Sequence, residues 1–172
     1  TTADFEYADL IEFLGNPISS AKKVLSGGCK IYCDTNMIVN GLSKTILKKF
    51  NCVPYTLVSD AEVSKKAKER GVTRSIVGME YAGKDKETKI FLIGNAPTAL
   101  YKLKEMIEKN EIEKPALVVG VPVGFVGASE SKEVFKETKV PYITINGRKG
   151  GSTAAVSILH GILYQIYKRE GF

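Results

Sequence analysis

The sequence of 172 residues lacks the features that mark several classes of protein. It has no apolar run approaching the ~20 residues that a membrane-spanning helix needs. Its opening stretch, TTADFEYADL, is acidic and does not follow the basic-then-apolar pattern of a secretory signal peptide. It has only three cysteines, an odd number that suits a reducing compartment better than a disulfide framework. These absences predict a cytoplasmic protein with no membrane partner.

Motifs for metals and nucleotides are also scarce. Cys29 and Cys33 share one face of a predicted strand, but neither a CxxC pair nor a nearby histidine accompanies them. Buried packing is therefore the better interpretation, and we expect no metal site. No GxxxxGK[ST] phosphate loop is present. The single histidine, His160, lies at the edge of the apolar face of a predicted helix, which favours packing or an interface over acid–base chemistry.

The charge is basic, with a formal net value of +6. Nucleic acid is one partner that such a charge could serve, but no basic stripe with interleaved aromatic residues supports it, and we expect no nucleic-acid binding. A polyanionic small molecule is a second possibility. Solvated helix faces explain most of the lysines, as in the cluster at 65–70. Charge alone therefore does not decide the function.

Short apolar runs alternate with segments of helical periodicity. The composition, 44% hydrophobic and 26% charged, is that of a globular chain. The predicted strands are 29–34, 52–58, 89–93, 116–120 and 141–145. We interpret residues 1–14 as helical and 152–168 as the last helix. The pattern predicts a single three-layer α/β/α domain over residues 1–172, with a mostly parallel, Rossmann-like sheet of about five strands.

Glycine clusters follow the last two predicted strands. The first contains Gly120, Gly124 and Gly127, and the second contains Gly147, Gly150 and Gly151. Glycine permits positive φ and a close approach of backbone to ligand. Ligands of open α/β sheets bind at the carboxyl ends of the strands, where these loops are expected. The sequence therefore predicts the binding site here.

Cationic residues accompany these loops. Arg148 and Lys149 precede Gly150, Gly151 and Ser152 at a predicted helix N-terminus. This favours an anion site over a turn with exposed charges. Arg74 follows Thr73 in a polar break between two helices. It is equally suited to binding a carboxylate and to being an ordinary surface arginine.

Four motifs, in order along the chain, carry a family resemblance: CDTNMIVNGLSK at 33–44, GVTRSIVGME at 71–80, GVPVGFVGASESKE, and NGRKGGSTAA. With them the sequence resembles the precorrin-8X methylmutase (cobalt-precorrin-8 methylmutase) family over nearly its whole length. The resemblance implies an isomerase of cobalamin biosynthesis that moves a methyl group from ring carbon 11 to carbon 12 of a tetrapyrrole polycarboxylate, giving hydrogenobyrinate or cobyrinate. It implies no organic cofactor and a homodimer with sites at the subunit interface.

The resemblance also implies roles for particular residues. Arg74 occupies the active-site arginine of a matching T-R-S triplet, and Ser43 matches a hydroxyl residue near the substrate, although a plain helix cap would also explain it. The family's proton donor is a histidine immediately before the segment that matches Thr1, so we expect it upstream, with no catalytic residue in the sequence itself. The predicted substrate-binding residues are Ser43, Thr73, Arg74, Gly127, Ser129, Arg148, Lys149, Gly150, Gly151 and Ser152.

Two other functions remain possible at this point. One is a non-catalytic tetrapyrrole-binding module that has kept the pocket and lost its acid. The other is a phosphate- or nucleotide-binding α/β domain that uses the two glycine loops.

Overall fold

The computed structural model of the protein describes residues 1–167. Six strands form one sheet in the order β1-β6-β5-β4-β2-β3, and every neighbouring pair is parallel except β1 and β6. The strands are β1 (Ile11–Leu14), β2 (Lys30–Cys33), β3 (Val53–Tyr55), β4 (Thr88–Ile93), β5 (Leu117–Gly120) and β6 (Tyr142–Ile145). The mostly parallel sheet confirms the predicted fold class.

Helices connect the strands, as right-handed α/β crossovers require. They are α1 (Tyr7–Leu10), α2 (Pro17–Gly27), α3 (Asn36–Gly41), α4 (Lys44–Lys49), α5 (Ala61–Arg70), α6 (Arg74–Lys84), α7 (Pro97–Glu108), α8 (Ala128–Phe135) and α9 (Ser152–Ile166). The predicted end of the last helix, Lys168, lies outside the described residues. Within residues 1–167, no helix is both long enough and apolar enough to span a bilayer.

Two hydrophobic cores cover the two faces of the sheet, because successive side chains of a strand point to opposite faces. Ile31 and Cys33 of β2 contribute to the core that α2, α3, α4 and α9 cover. Tyr32, between them, contributes to the core under α6, α7 and α8. Cys29 and Cys33 are both buried, as the sequence analysis predicts. The three-layer arrangement follows from these two cores.

The first 14 residues differ from the sequence-based prediction. Only the single turn α1 is helical there, and the next four residues form β1, which pairs antiparallel with β6. Their apolar spacing suits a short helix as well as a strand. The unpaired edge of β6 decides the outcome, because β1 satisfies its backbone hydrogen-bonding groups. The polar break predicted at Thr73 and Arg74 is the start of α6, with Thr73 as its N-cap.

Candidate functional site

The carboxyl edge of the parallel strands gathers the amino ends of several helices. β2, β4, β5 and β6 end at this edge, and α3, α7, α8 and α9 follow them along the chain. The first N–H groups of a helix lack intrahelical acceptors, and the helix dipole places partial positive charge there. This edge is therefore suited to a ligand with several negative groups, in the place that the sequence predicts.

The two glycine loops are joined to each other at this edge. The N–H of Gly124 donates to the Arg148 carbonyl (3.1 Å), and the N–H of Gly151 donates to the Val121 carbonyl (2.8 Å). Gly150 lies so close to Val121 that a Cβ on it would come within 2.2 Å of the Val121 carbonyl oxygen. Only glycine fits at this position, and the two loops form one rigid unit.

Several predicted binding groups of the second loop already have partners within the chain. The Lys149 ammonium binds the carboxylates of Asp4 (2.5 Å) and Glu6 (2.6 Å), which raise the pKa of Lys149 to about 12. The N–H of Gly150 donates to the Tyr7 hydroxyl (3.2 Å). In this arrangement Lys149, Gly150 and Gly151 hold the loop and the N-terminal segment together. The exposed Arg148 and the first turn of α9 remain available for an anion.

Ser152 connects the second loop to the start of α3. Its hydroxyl lies 3.0 Å from the hydroxyl of Thr35. Thr35 is the N-cap of α3 and also accepts a hydrogen bond from the Ile38 N–H (3.2 Å). The amino ends of α3 and α9 are therefore adjacent.

Asp34 is a residue of this edge that sequence reasoning missed. Its buried carboxylate accepts hydrogen bonds from the N–H groups of Gly94 (3.0 Å), Asn95 (2.8 Å) and Ala96 (2.8 Å). Burial raises the pKa of Asp34, and the three N–H donors oppose that rise. Asp34 fixes the loop that leads into α7. A polar residue directly after a buried apolar run was the only available signal.

Arg74 and Thr73 lie where β3 and β4 lead into their helices. The Thr73 hydroxyl accepts from the Ile76 N–H (3.3 Å), and it is 3.2 Å from the hydroxyl of Thr98 on α7. The exposed Arg74 donates from Nη1 to the Val58 carbonyl (3.1 Å) and forms no ion pair with an acidic residue among residues 1–167. Its positive charge is therefore uncompensated.

Gly127 and Ser129 lie at the start of α8. Gly127 is the N-cap, and a Cβ on it would be 3.6 Å from the Pro97 side chain at the start of α7. Ser129 is in the first turn of α8 and is partly exposed. The amino ends of α7 and α8 are therefore neighbours at the predicted site.

Ser43 lies elsewhere, beyond the far end of α3. Its N–H donates to His160 Nε2 (3.0 Å), and its hydroxyl caps α4 by accepting from the Ile46 N–H (3.4 Å). Burial lowers the pKa of His160, which suits a neutral ring that accepts this bond. The Thr1 hydroxyl contacts Ser157 on the same helix, α9 (2.6 Å). Ser43, His160 and Thr1 thus form a second group along α9, apart from the strand ends.

Lys132 is a buried lysine beneath the second glycine loop. Its side chain is nearly inaccessible, and its Nζ donates to the Lys149 carbonyl (2.8 Å). Burial lowers the pKa of Lys132 from 10.5 to about 8. The Lys132 side chain thus supports the second glycine loop from its buried side.

The free energy of unfolding should depend on pH because Lys132 is buried. Between pH 8 and 10 the folded protein loses the Lys132 proton while the unfolded chain keeps it, so that the free energy of unfolding receives a contribution that rises with pH. Urea denaturation across this pH range measures it. Lys132→Met should remove that contribution, whereas Lys68→Met, at an exposed lysine, should leave it unchanged. Equal pH dependence in all three proteins would contradict the assignment.

No group of three or more His, Cys, Asp and Glu side chains is placed to hold a metal ion among the residues that the structure describes. The chemistry of the edge is that of backbone N–H donors, hydroxyl groups and arginines. Such groups bind carboxylates.

Comparison with known proteins agrees with this geometry. Residues 1–165 match the family model described as precorrin-8X methylmutase. The cobalt-precorrin-8 methylmutase of Leptospira interrogans is 44% identical, with 98% of this chain and 80% of the relative aligned. That of Salmonella typhimurium is 39% identical, over 96% of this chain and 77% of the relative. The solved structure of a precorrin-8X methyl mutase from Thermus thermophilus superposes with a TM-score of 0.85 at 37% identity, covering 95% of this chain and 79% of that one.

Proposed function

Because this chain belongs to the precorrin-8X methylmutase family and is thereby an isomerase of cobalamin biosynthesis, we propose that the carboxyl edge of its sheet binds the tetrapyrrole substrate. The reaction is the migration of a methyl group from ring carbon 11 to carbon 12 of precorrin-8X or cobalt-precorrin-8. It is an isomerisation without redox change, and we propose that it uses no organic cofactor.

The observation that carries this proposal is the distribution of donors along the edge. The substrate bears several acetate and propionate carboxylates around its rim. The amino ends of α3, α8 and α9, with Arg74 toward β3 and Arg148 after β6, offer separate positions for such groups. A single phosphate loop would concentrate its donors at one point. The spread of donors favours a polycarboxylate over a nucleotide.

The methyl shift also requires protonation of the ring. We propose that the donor is a histidine immediately before Thr1, as the family resemblance implies. The Thr1 hydroxyl contacts Ser157 on α9, and Asp4, Glu6 and Tyr7 attach the residues that follow to the second glycine loop. Thr1 thus lies beside α9, apart from the strand ends, while residues 4–7 are held at the second glycine loop.

We propose a homodimer for a related reason. Ser43 and Thr1 lie along α9, whereas Arg74 and Thr73 lie at the strand ends. A second copy could place the α9 group of one subunit opposite the strand-end group of the other, so that one substrate contacts both. Light scattering on the purified protein measures the mass. Restored activity on mixing Ser43→Ala and Arg74→Ala subunits would support a shared site.

Conversion of precorrin-8X, followed by its change in absorption, tests the function itself. The assay is run with and without cobalt in the substrate, on protein that includes the histidine before Thr1. Binding without turnover would support a non-catalytic tetrapyrrole module. Binding of a nucleotide in place of a corrinoid would support the third alternative.

Arg74→Ala should weaken binding of hydrogenobyrinate by about 1–3 kcal/mol, the usual contribution of a charge-assisted hydrogen bond. Arg74→Lys should retain part of the affinity, because it keeps the charge and loses the planar fork. Arg70→Ala is the matched control, since the Arg70 guanidinium is already bound to Glu80. Titration calorimetry measures all three. Unchanged affinity in Arg74→Ala would remove Arg74 from the site.

A further inference from the structure

The loop between β5 and α8 presents large apolar side chains to solvent. We call residues 121–127 the apolar loop. Phe125 is 84% exposed and Val126 is 89% exposed, while Val123 beside them is 48% exposed. Adjacent apolar side chains exposed to this degree mark an interaction site more often than isolated ones do.

The exposure is built into the loop. Gly124 and Gly127 both have positive φ, at 142° and 71°, and these two turns direct Phe125 and Val126 away from the body of the protein. The loop is also held at its base, because Gly124 donates to the Arg148 carbonyl and the Val121 carbonyl accepts from Gly151. The protein therefore maintains an apolar tip that is largely exposed.

Groups that bind carboxylates border this tip. The Arg148 guanidinium lies over the Phe125 ring, with Cζ 5.5 Å from the ring centroid. On the other side the chain passes directly through Gly127 into the first turn of α8. The surface thus combines an apolar patch with a cation and free helix N–H groups at its rim. A ligand that fits has a flat apolar face and anionic groups at its edge.

We propose that Phe125 and Val126 contact the face of the tetrapyrrole macrocycle, while Arg148 and the first turn of α8 bind a carboxylate on its rim. This assignment rests on the proposed function and adds to it separate roles for the residues of the first glycine loop. The glycines shape the loop, and the two side chains between them bind the ring.

The experiment compares Phe125→Ala with Phe13→Ala. Phe13 is also exposed, at 50%, but it lies on the antiparallel edge strand β1 and not in the loops at the carboxyl edge. With hydrogenobyrinate as the probe, Phe125→Ala should bind about 10- to 100-fold more weakly than the parent, the loss expected for one buried aromatic side chain. Phe13→Ala should bind as the parent does. Phe125→Leu should recover part of the loss because it restores apolar area.

A second ligand separates the ring from its carboxylates. The dissociation constant of tricarballylate, a polycarboxylate without an apolar face, should be the same for the parent and Phe125→Ala. The masses of the two proteins should also agree. A Phe125→Ala protein that binds hydrogenobyrinate normally would overturn this inference and leave the proposed function standing. Weaker binding accompanied by a smaller oligomeric mass than that of the parent would do the same. A parent protein that fails to bind hydrogenobyrinate would overturn both.

Discussion

A protein extended by a histidine immediately before Thr1 should convert precorrin-8X ~10²–10⁴-fold faster than one extended by alanine, the usual contribution of a positioned general acid. The ring must gain a proton as the methyl group moves, and no described side chain is an obvious substitute. His160 accepts the Ser43 N–H through Nε2, and burial lowers its pKa. The cysteines are buried. Hydrogenobyrinate should bind to both proteins with nearly the same affinity.

Three proteins make this test specific: one with histidine before Thr1, one with alanine there, and residues 1–172 alone. The first should convert substrate, and the other two should bind it and remain nearly inert. His160→Asn in the first protein is the matched control and should keep turnover within a few-fold of the parent. Full activity of residues 1–172 alone would show that the proton comes from another group. Collapse of turnover in a folded His160→Asn protein would give His160 a role in the reaction.

Asp34→Ala should lower the free energy of unfolding by roughly 3–5 kcal/mol. The substitution removes both carboxylate oxygens, Oδ1 that accepts from Gly94 and Oδ2 that accepts from Asn95 and Ala96. Each buried unsatisfied donor costs about 1–3 kcal/mol unless water reaches it. Urea denaturation measures the change. We expect Asp34→Asn to be intermediate, because its amide oxygen can still accept.

Asp60→Ala provides the control for Asp34. Asp60 is also an aspartate at a helix start, but within residues 1–167 its side chain accepts one hydrogen bond, from the Val63 N–H (2.9 Å), and caps the more exposed α5. Its loss should cost about 1 kcal/mol, as for an ordinary N-cap. Similar losses for the two aspartates would show that the 94–96 loop is stable without Asp34.

Local signals in the sequence were sufficient for much of this structure. Alternating apolar runs and helical periodicity predicted the three-layer fold, and the glycine clusters predicted loops at the carboxyl edge. Each of these features depends on residues within a few positions of one another, where backbone propensity and side-chain periodicity dominate.

Other features depended on residues far apart in the chain. Strand β1 exists because the edge of β6 was free to pair with it. Lys149 has the pattern of a free anion-binding cation, yet it is compensated by Asp4 and Glu6. Asp34 gains its importance from a loop some sixty residues further on. Hydrogen bonds and ion pairs of this kind form only after the sheet has brought the segments together. The sequence alone therefore determined the fold class and the position of the glycine loops, and packing decided which charges of the proposed site remain available.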